Sequence, residues 1–522
     1  MGSSVNRIVK NTSYLYFKMA VTVFISLWTT RLILNSLGAS DFGIFAVVGG
    51  AISMLGFLNN SMAGSTQRFM NYVEGQGNIE KKKEIFNISI LIHLGLSVVV
   101  LLVLAICGYV FFHGVLNISQ DRLHAAYVVY GSMIVSTILT VINTPYDAIL
   151  NSHENMRYYA IVGIFESLLK LLVAFACVYS SYDKLIVYGI LMACIPAVTL
   201  TIMKIYCHKR YDECVISFSK YYNKATLKEM LGFAGWNFWG ASTSMVGNYG
   251  QGLVVNHFFG AVLNASIGIA SQLNGQLFAF TNNMLKALSP VITKTEGNGD
   301  REKMLHYATT GCKFSFAIFA VFAIPFIIEM HFIQTVWLKN VPQWAILFAQ
   351  LQIVRTLIEQ LTFTYHTAIA AEGHIALYQT FMSIFNLVPI VSLCVLFSLG
   401  YSPIFMYVVN IVIFGIGMSI LVIVFVHRNC KLRYEDYLKK LLYPVLSSFI
   451  MAFTSTLIPS FIIAEGWFRF IVTLIVGITS YMSFFWILGL NSSEKEMIKK
   501  GLLHVYNTRK HKEHIDLIYN SE

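Results

Sequence analysis

Apolar stretches of about twenty residues follow one another down the chain, separated by short polar segments. A helix satisfies its own backbone polar groups, so each stretch can cross a hydrocarbon core of about 30 Å without a partner. The pattern predicts fourteen such helices, over residues 11–36, 42–66, 86–112, 126–150, 158–180, 185–206, 230–257, 262–288, 305–330, 343–368, 375–398, 402–427, 441–463 and 467–490. Alternating ten-residue strands, which a membrane barrel needs, are not visible. The first stretch carries Lys18 and Arg31 and no small-residue cleavage site, so it reads as a retained helix.

The second half of the chain repeats the first. Gly38-Ala39 recurs as Gly260-Ala261, and Glu74-Gly75-Gln76-Gly77-Asn78 as Glu296-Gly297-Asn298-Gly299-Asp300, each displaced by 222 residues (38 to 260, 74 to 296). The expected architecture is an all-α polytopic membrane protein with a lobe of helices 1–6 (residues 1–206) and a lobe of helices 7–12 (230–427). A cytoplasmic linker (207–229) joins them, helices 13–14 occupy 428–490, and a basic tail follows at 491–522. Duplicated polytopic chains without a soluble domain are most readily two-lobed transporters.

Composition agrees. The chain is 56% hydrophobic and 12% charged, with a mean hydropathy of +0.64, whereas soluble domains are about 25% charged. A net charge of +11 could suit nucleic acid, but its placement argues for a membrane. Arg7 and Lys10, Lys81-Lys82-Lys83, Arg157, Lys209-Arg210, Arg301 and Lys303, Arg428 to Lys440, and Lys495 to Lys512 fall on alternate loops; the intervening loops hold only Arg122, Lys184, Lys339 and Arg469. The positive-inside rule then places both termini in the cytoplasm and requires an even number of spans. The basic runs read as topology anchors and lipid-headgroup contacts.

Catalytic signatures are missing. Nothing matches GxxxxGK[ST] or HExxH, and eight scattered cysteines form no CxxC pair, so no enzyme, cofactor, metal or disulfide framework is expected. The outward loops are short, the longest lying near His113–Asp121 and His331–Pro342, which leaves no room for an external catalytic domain.

The informative residues are polar groups inside the spans. In span eight, Gly268, Ser271, Gln272, Gly275, Gln276, Ala279, Asn282, Asn283 and Lys286 follow helical spacing and form one small-or-polar stripe. Its repeat partner in span two, Ala46, Gly49, Gly50, Ser53, Met54, Phe57, Asn60, Ser61 and Gly64, is a weaker copy that tight helix packing would also explain. Span one adds Lys18 and Arg31, span seven Asn237, Ser244 and Asn248, and span ten Gln350, Gln352, Arg355, Glu359 and Gln360. One water-filled cavity lined by spans one, two, seven, eight and ten accounts for all of them.

Charges within a bilayer cost about 2.5–3.5 kcal/mol even on the mildest scale, so each needs a reason. Arg31 has no acid within a turn and either serves the cavity or snorkels to the outer interface. Glu166 with Lys170, and Arg355 with Glu359, stand four apart and can neutralise each other. Lys286 ends the stripe, where it would meet an anionic headgroup or anchor the helix.

The stretch Arg31-Leu-Ile-Leu-Asn-Ser-Leu-Gly38-Ala-Ser-Asp-Phe-Gly43-Ile-Phe-Ala46 resembles the opening of bacterial polysaccharide exporters and O-unit flippases. Ala63-Gly64-Ser65-Thr66-Gln67-Arg68-Phe69 and the segment Pro145 to Glu154 are similar too. These proteins belong to the multidrug, oligosaccharidyl-lipid and polysaccharide exporter (MOP) superfamily. The resemblance covers about residues 11–490 and implies two six-helix bundles in pseudo-two-fold arrangement around a V-shaped cavity, plus two carboxyl-terminal helices. It also implies alternating-access export of undecaprenyl-diphosphate-linked oligosaccharide across the bacterial inner membrane, for O-antigen, capsule or exopolysaccharide. Cavity cations are typical of its lipid-linked branches; by position Arg31, Arg68 and Lys286 are the nearest matches. The substrate-contacting candidates are therefore Arg31, Lys18, Asn60, Arg68, Gln272, Gln276, Asn283, Lys286, Arg355 and Glu359. A polyprenyl-diphosphate glycan and membrane lipids are the expected partners; a coupling ion (Na+ or H+) and contacts with other polysaccharide-assembly membrane proteins stay open.

Two other functions compete. A multidrug antiporter of the same fold needs a cavity acid, yet spans one, two, seven and eight hold no Asp or Glu, leaving Glu359 as its good candidate. A polytopic polysaccharide polymerase or glycosyltransferase would need a sizeable outward loop.

Overall fold

The computed structural model describes residues 2–53, 56–112, 119–338, 341–496 and 499, and those residues are helical almost throughout, with no strand among them. The end of the basic tail, from residue 500, lies outside the described residues, as do Met54 and the side chains of Ala46, Gly50, Ser53 and Phe57 in the expected stripe of span two.

The first half comprises α1 (Gly2–Ser53), α2 (Gly56–Gln76), α3 (Ile79–Val110), α4 (Gln120–Ser152), α5 (Met156–Tyr179) and α6 (Lys184–Arg210). A short α7 (Phe218–Tyr221) leads to the second half: α8 (Lys224–Phe259), α9 (Ala261–Gly297), α10 (Arg301–Ile328), α11 (Met330–Leu338), α12 (Ala345–Gln360), α13 (Tyr365–Glu372), α14 (Ala376–Ser398) and α15 (Phe405–Cys430). Helices α16 (Tyr434–Ile462) and α17 (Trp467–Gly489) close the chain and pack on each other and on α10.

Ten of these helices are long and apolar enough to cross a membrane: the first arm of α1 (Arg7–Gly38), α3 to α6, α10 and α14 to α17. The chain is a multi-pass membrane protein. The expected spans that fall short are two, seven, eight and ten, which correspond to α2 with the second arm of α1, to α8, to α9, and to α12 with α13. They are four of the five helices whose polar positions point to a cavity. Span ten is also broken, because α12 stops at Gln360 and a turn precedes α13.

The repeat is visible in the backbone. Gly38 (φ 77°, ψ 168°) and Gly260 (φ 80°, ψ 178°) make the same turn between consecutive helices, in a region that only glycine occupies without strain. At the other end of the next helices, Asn78 accepts from the Lys81 amide at 3.0 Å and Asp300 from the Lys303 amide at 3.1 Å, so equivalent caps open α3 and α10. Between turn and cap, α2 crosses α9. A Cβ on Gly75 would strike the Lys294 carbonyl, and one on Gly297 would strike the Tyr72 carbonyl. Tyr72 and Lys294 are themselves repeat partners, so the crossing obeys the pseudo-two-fold relation.

This crossing lies at the basic-loop end, and the polar contacts between the halves gather around it. Glu154, in the α4–α5 turn, takes Arg7 at 2.8 Å and Lys294 at 2.9 Å. Arg68 donates to the carbonyls of Ala370 (3.2 Å) and Ala371 (3.0 Å) in the last turn of α13, where helix carbonyls lack internal donors. Lys81 reaches Thr226 at 2.9 Å and Ser65 donates to the Met230 carbonyl at 3.0 Å. The segment after α6 is docked too: Asn87 bonds Val215 and Ser217, and His153 pairs with Glu213. Burial works against the Glu213 carboxylate, and the His153 contact overcomes it, holding its pKa below the ordinary range.

Gly75→Val or Gly297→Val should cost about 1–3 kcal/mol through forced separation of the backbones, read as a lower thermal midpoint in detergent, while Gly95→Val, facing open space, should be near neutral. Lys313 and Glu494 form an ion pair at 2.8 Å with both side chains almost wholly buried. Glu494→Gln should destabilise by about 3–5 kcal/mol because a buried ammonium loses its counter-ion, whereas Lys313→Met with Glu494→Leu should recover most of that loss.

Candidate functional site

The sequence candidates fall into three places. The first is the cleft between the halves. On α1, Tyr16 donates to the Phe280 carbonyl at 3.0 Å and Met19 touches Asn283, so this face of α1 looks at α9. Ser26 and Thr30 continue the same face toward the opposite end. The α9 stripe faces back: Ser271, Gln272, Gly275 and Gln276 are exposed, Leu277 behind them is buried, and Asn283 is half-buried where the halves close. Asn60, near the start of α2, is also exposed.

The cleft has a floor. Leu15, Met156 and Ala287, from α1, α5 and α9, form a small apolar cluster with Tyr159 packed on it. Lys18 of α1 lies 4.2 Å from the Tyr159 ring centroid and Lys286 of α9 lies 3.8 Å from it, with the Lys286 ammonium also donating to the Tyr159 hydroxyl. One aromatic ring thus gathers an ammonium from each half, each drawn by the ring's negative face. Lys18 also lines a cavity of about 150 Å³ inside the first half with Asn143, Asp147, Tyr159 and Glu166. Asp147 is within electrostatic reach of both lysines.

Asp147 lies inside the expected fourth span (126–150), and the sequence reading passes over it. The readable signal is its position four residues after Asn143 on one helix face, and Asn143 does donate to it at 3.3 Å. Glu166 and Lys170 pair at 2.6 Å along α5, as their spacing suggests.

The second place is the interior of the second half. Arg355 and Glu359 pair at 2.7 Å and line a chamber of about 420 Å³, with Arg355 over the Phe414 ring at 4.5 Å. Leu285, which the stripe pattern assigns to a dry face of α9, lines this chamber, so α9 has polar space on two sides.

The third place is set apart from both. Arg31 is exposed and pairs with no acid among the described residues. At about 100° per residue it stands roughly 60–120° around α1 from Tyr16 and Met19, at the margin of the cleft. Arg68 belongs to the closure between the halves, stacked on Phe69, Tyr72 and Phe233, and borders a cavity of about 330 Å³. Glu74, His153 and Glu213 converge within 4.8 Å in the manner of a metal site, but Lys82 already pairs with Glu74 at 2.6 Å.

No family model and no curated protein matches the sequence. Solved structures match in fold. A MATE in complex with MaD3S superposes with a TM-score of 0.68 at 15% identity, covering 84% of this chain and 97% of that one. An outward-facing multidrug resistance MATE family transporter of the MOP superfamily gives 0.65 at 14% identity, covering 82% and 96%. A MOP superfamily transporter from Pyrococcus furiosus, described as having a binding pocket of reverse polarity that suggests a different function, gives 0.62 at 15% identity, covering 84% and 97%. The chain has the fold of these transporters over more than four-fifths of its length.

The cleft assignment is checked by thiol accessibility in a variant freed of native cysteines. Cysteines at Gln272 and Gln276 should react with membrane-impermeant thiol reagents at least tenfold faster than one at Leu277; equal rates would return the stripe to ordinary helix packing.

Proposed function

We propose that this protein is a transporter of the MOP type that moves a polyprenyl-diphosphate-linked glycan across the bacterial cytoplasmic membrane, with both termini in the cytoplasm. The supporting observation is the pair Lys18 and Lys286, one from each half, meeting on Tyr159 at the floor of the cleft. A diphosphate needs cations held in a partly desolvated site, where each charge-assisted contact is stronger than in water. Ammonium groups contributed by both halves give such a ligand a reason to hold the halves together, and their separation a means of release. On this reading the closure around Glu154 and Lys294 seals the cytoplasmic side beneath the site, and Asp147 is the counter-ion that the lysines exchange for the diphosphate.

Asp147 also favours a second reading. An acid within a span and close to a cleft suits an antiporter that trades a proton for a cationic drug. The two readings give opposite results at one residue. In proteoliposomes, Lys18→Ala and Lys286→Ala should each reduce polyprenyl-diphosphate-glycan transport about 10- to 100-fold, the loss of one charge-assisted contact of about 1.5–3 kcal/mol, with the arginine variants keeping part of the activity. Asp147→Asn should leave diphosphate binding intact or tighter. Drug–proton exchange abolished by Asp147→Asn, with no glycan-lipid movement by the wild type, would replace the flippase reading with the antiporter. Arg31→Ala with normal glycan-lipid transport would exclude Arg31 from the site.

A further inference from the structure

The chamber of about 420 Å³ in the second half plays no part in holding a diphosphate, and its chemistry differs from that of the cleft. Its charged pair, Arg355 and Glu359, is internally neutralised. The polar lining includes the carboxamides of Asn237 and Asn248 on α8, Gln360 at the end of α12, and Gln379 and Asn386 one heptad apart on α14. Gln379 donates to Asn237 at 3.1 Å, which fixes both amides across the chamber. Phe278 and Phe363 line it too, as does Phe414, whose ring carries Arg355.

One of the amides is unanswered. Gln360 is fully buried in the chamber wall, its Oε1 accepts from the Ser315 hydroxyl, and its Nε2 has no partner among the described residues. The amides open to the chamber are those of the half-buried Asn237 and Gln379. The chamber is also reachable: Asn237, His366 and Gln379 are shared with the cavity of about 330 Å³ that Gln67, Arg68 and Asn71 of α2 border, so the two spaces adjoin and extend to the boundary between the halves.

The ligand class follows from these groups. An isolated ion would find no net countercharge to offset its desolvation. An apolar molecule would offer nothing to the amides of Asn237 and Gln379 that line the chamber. A sugar ring carries hydroxyls that donate and accept around its edge and C–H faces that lie on aromatic rings, and the volume falls in the range of about 300–1,000 Å³ typical of pockets that bury a small ligand.

We propose that this chamber is a saccharide site, gripping one or two neutral sugar units through the amides of Asn237 and Gln379 against the flanking phenylalanines. It rests on the flippase reading for the origin of the sugar: the glycan end of the substrate sits here while the cleft lysines hold the diphosphate.

The test uses the full-length protein in lipid nanodiscs and two probes: a panel of free hexoses, N-acetylhexosamines and their disaccharides, and sugar-free polyprenyl diphosphate, both followed by calorimetry. At least one sugar should bind saturably, and Gln379→Leu and Asn237→Leu should each weaken it tenfold or more, while Lys18→Ala and Lys286→Ala leave it unchanged. Polyprenyl diphosphate should bind the wild type and Gln379→Leu alike. Gln379→Glu, close in shape, guards against misfolding: it should keep the wild-type thermal midpoint and shift which sugar is preferred. A folded wild type that binds no sugar, or sugar binding that survives both leucine variants, overturns the saccharide site even if polyprenyl diphosphate binds. Na+ or K+ binding lost in Gln379→Leu, without sugar binding, overturns it in favour of a cation site. Sugar binding without any polyprenyl-diphosphate binding keeps the chamber and removes the flippase reading.

Discussion

Two helices from opposite halves touch backbone to backbone where Gly75 meets the Lys294 carbonyl and Gly297 meets the Tyr72 carbonyl. Lipid offers no hydrophobic gain for bringing helices together, so such close approach, with the packing and polar contacts it allows, is what joins them. Everything between the halves is measured from this crossing. It brings Arg68 to the end of α13, sets Lys294 against Glu154, and fixes how far apart α1 and α9 stand as they continue toward the opposite end.

The helices at the crossing are more polar than those outside it, for one reason. Helices that face lipid must be apolar, and α3 to α6 qualify without exception. Helices that line the cleft and the chamber need not, and α2, α8 and α9 do not qualify. The failure of these helices to look like membrane spans is therefore information about where water and ligand are admitted. The same logic applies to charge: Glu166 with Lys170 and Arg355 with Glu359 are neutral pairs, whereas Lys18 and Lys286 share an aromatic ring and one remote acid, which leaves positive charge free for an incoming anion.

Much of the fold is legible in the amino-acid sequence. The all-helical membrane class and the duplication follow from apolar length and one repeated spacing, because in a bilayer these features answer to a single strong constraint. The repeated Glu-Gly-x-Gly motif is readable as a repeat, but its meaning as a crossing is not, since a glycine's empty side is defined by a partner more than two hundred residues away, as Gly75 and Lys294 are. Within the site, Lys18 and Lys286 are visible as intramembrane charges, while their meeting on Tyr159 depends on three helices and is not. Asp147 stands within the expected fourth span, but the two lysines it faces lie on other helices, so nothing near it in the sequence announces them. Arg31 draws attention as an unpaired charge, yet its angular position on α1 needs the contacts of Tyr16 and Met19 to fix it.

The basic-loop end is held by more than one kind of contact. One apolar cluster runs through both halves, from Phe69 and Met203 to Met230 and Ile292, while two smaller ones lie within the first half. Around the crossing, besides the glycine contact, the ties between the halves include an ion pair and hydrogen bonds: Lys294 on Glu154, Arg68 on two carbonyls, Lys81 on Thr226. On the proposed function, Lys18 and Lys286 sit just above that seal, so an anion bound between them changes the charge balance at the place where the two halves meet.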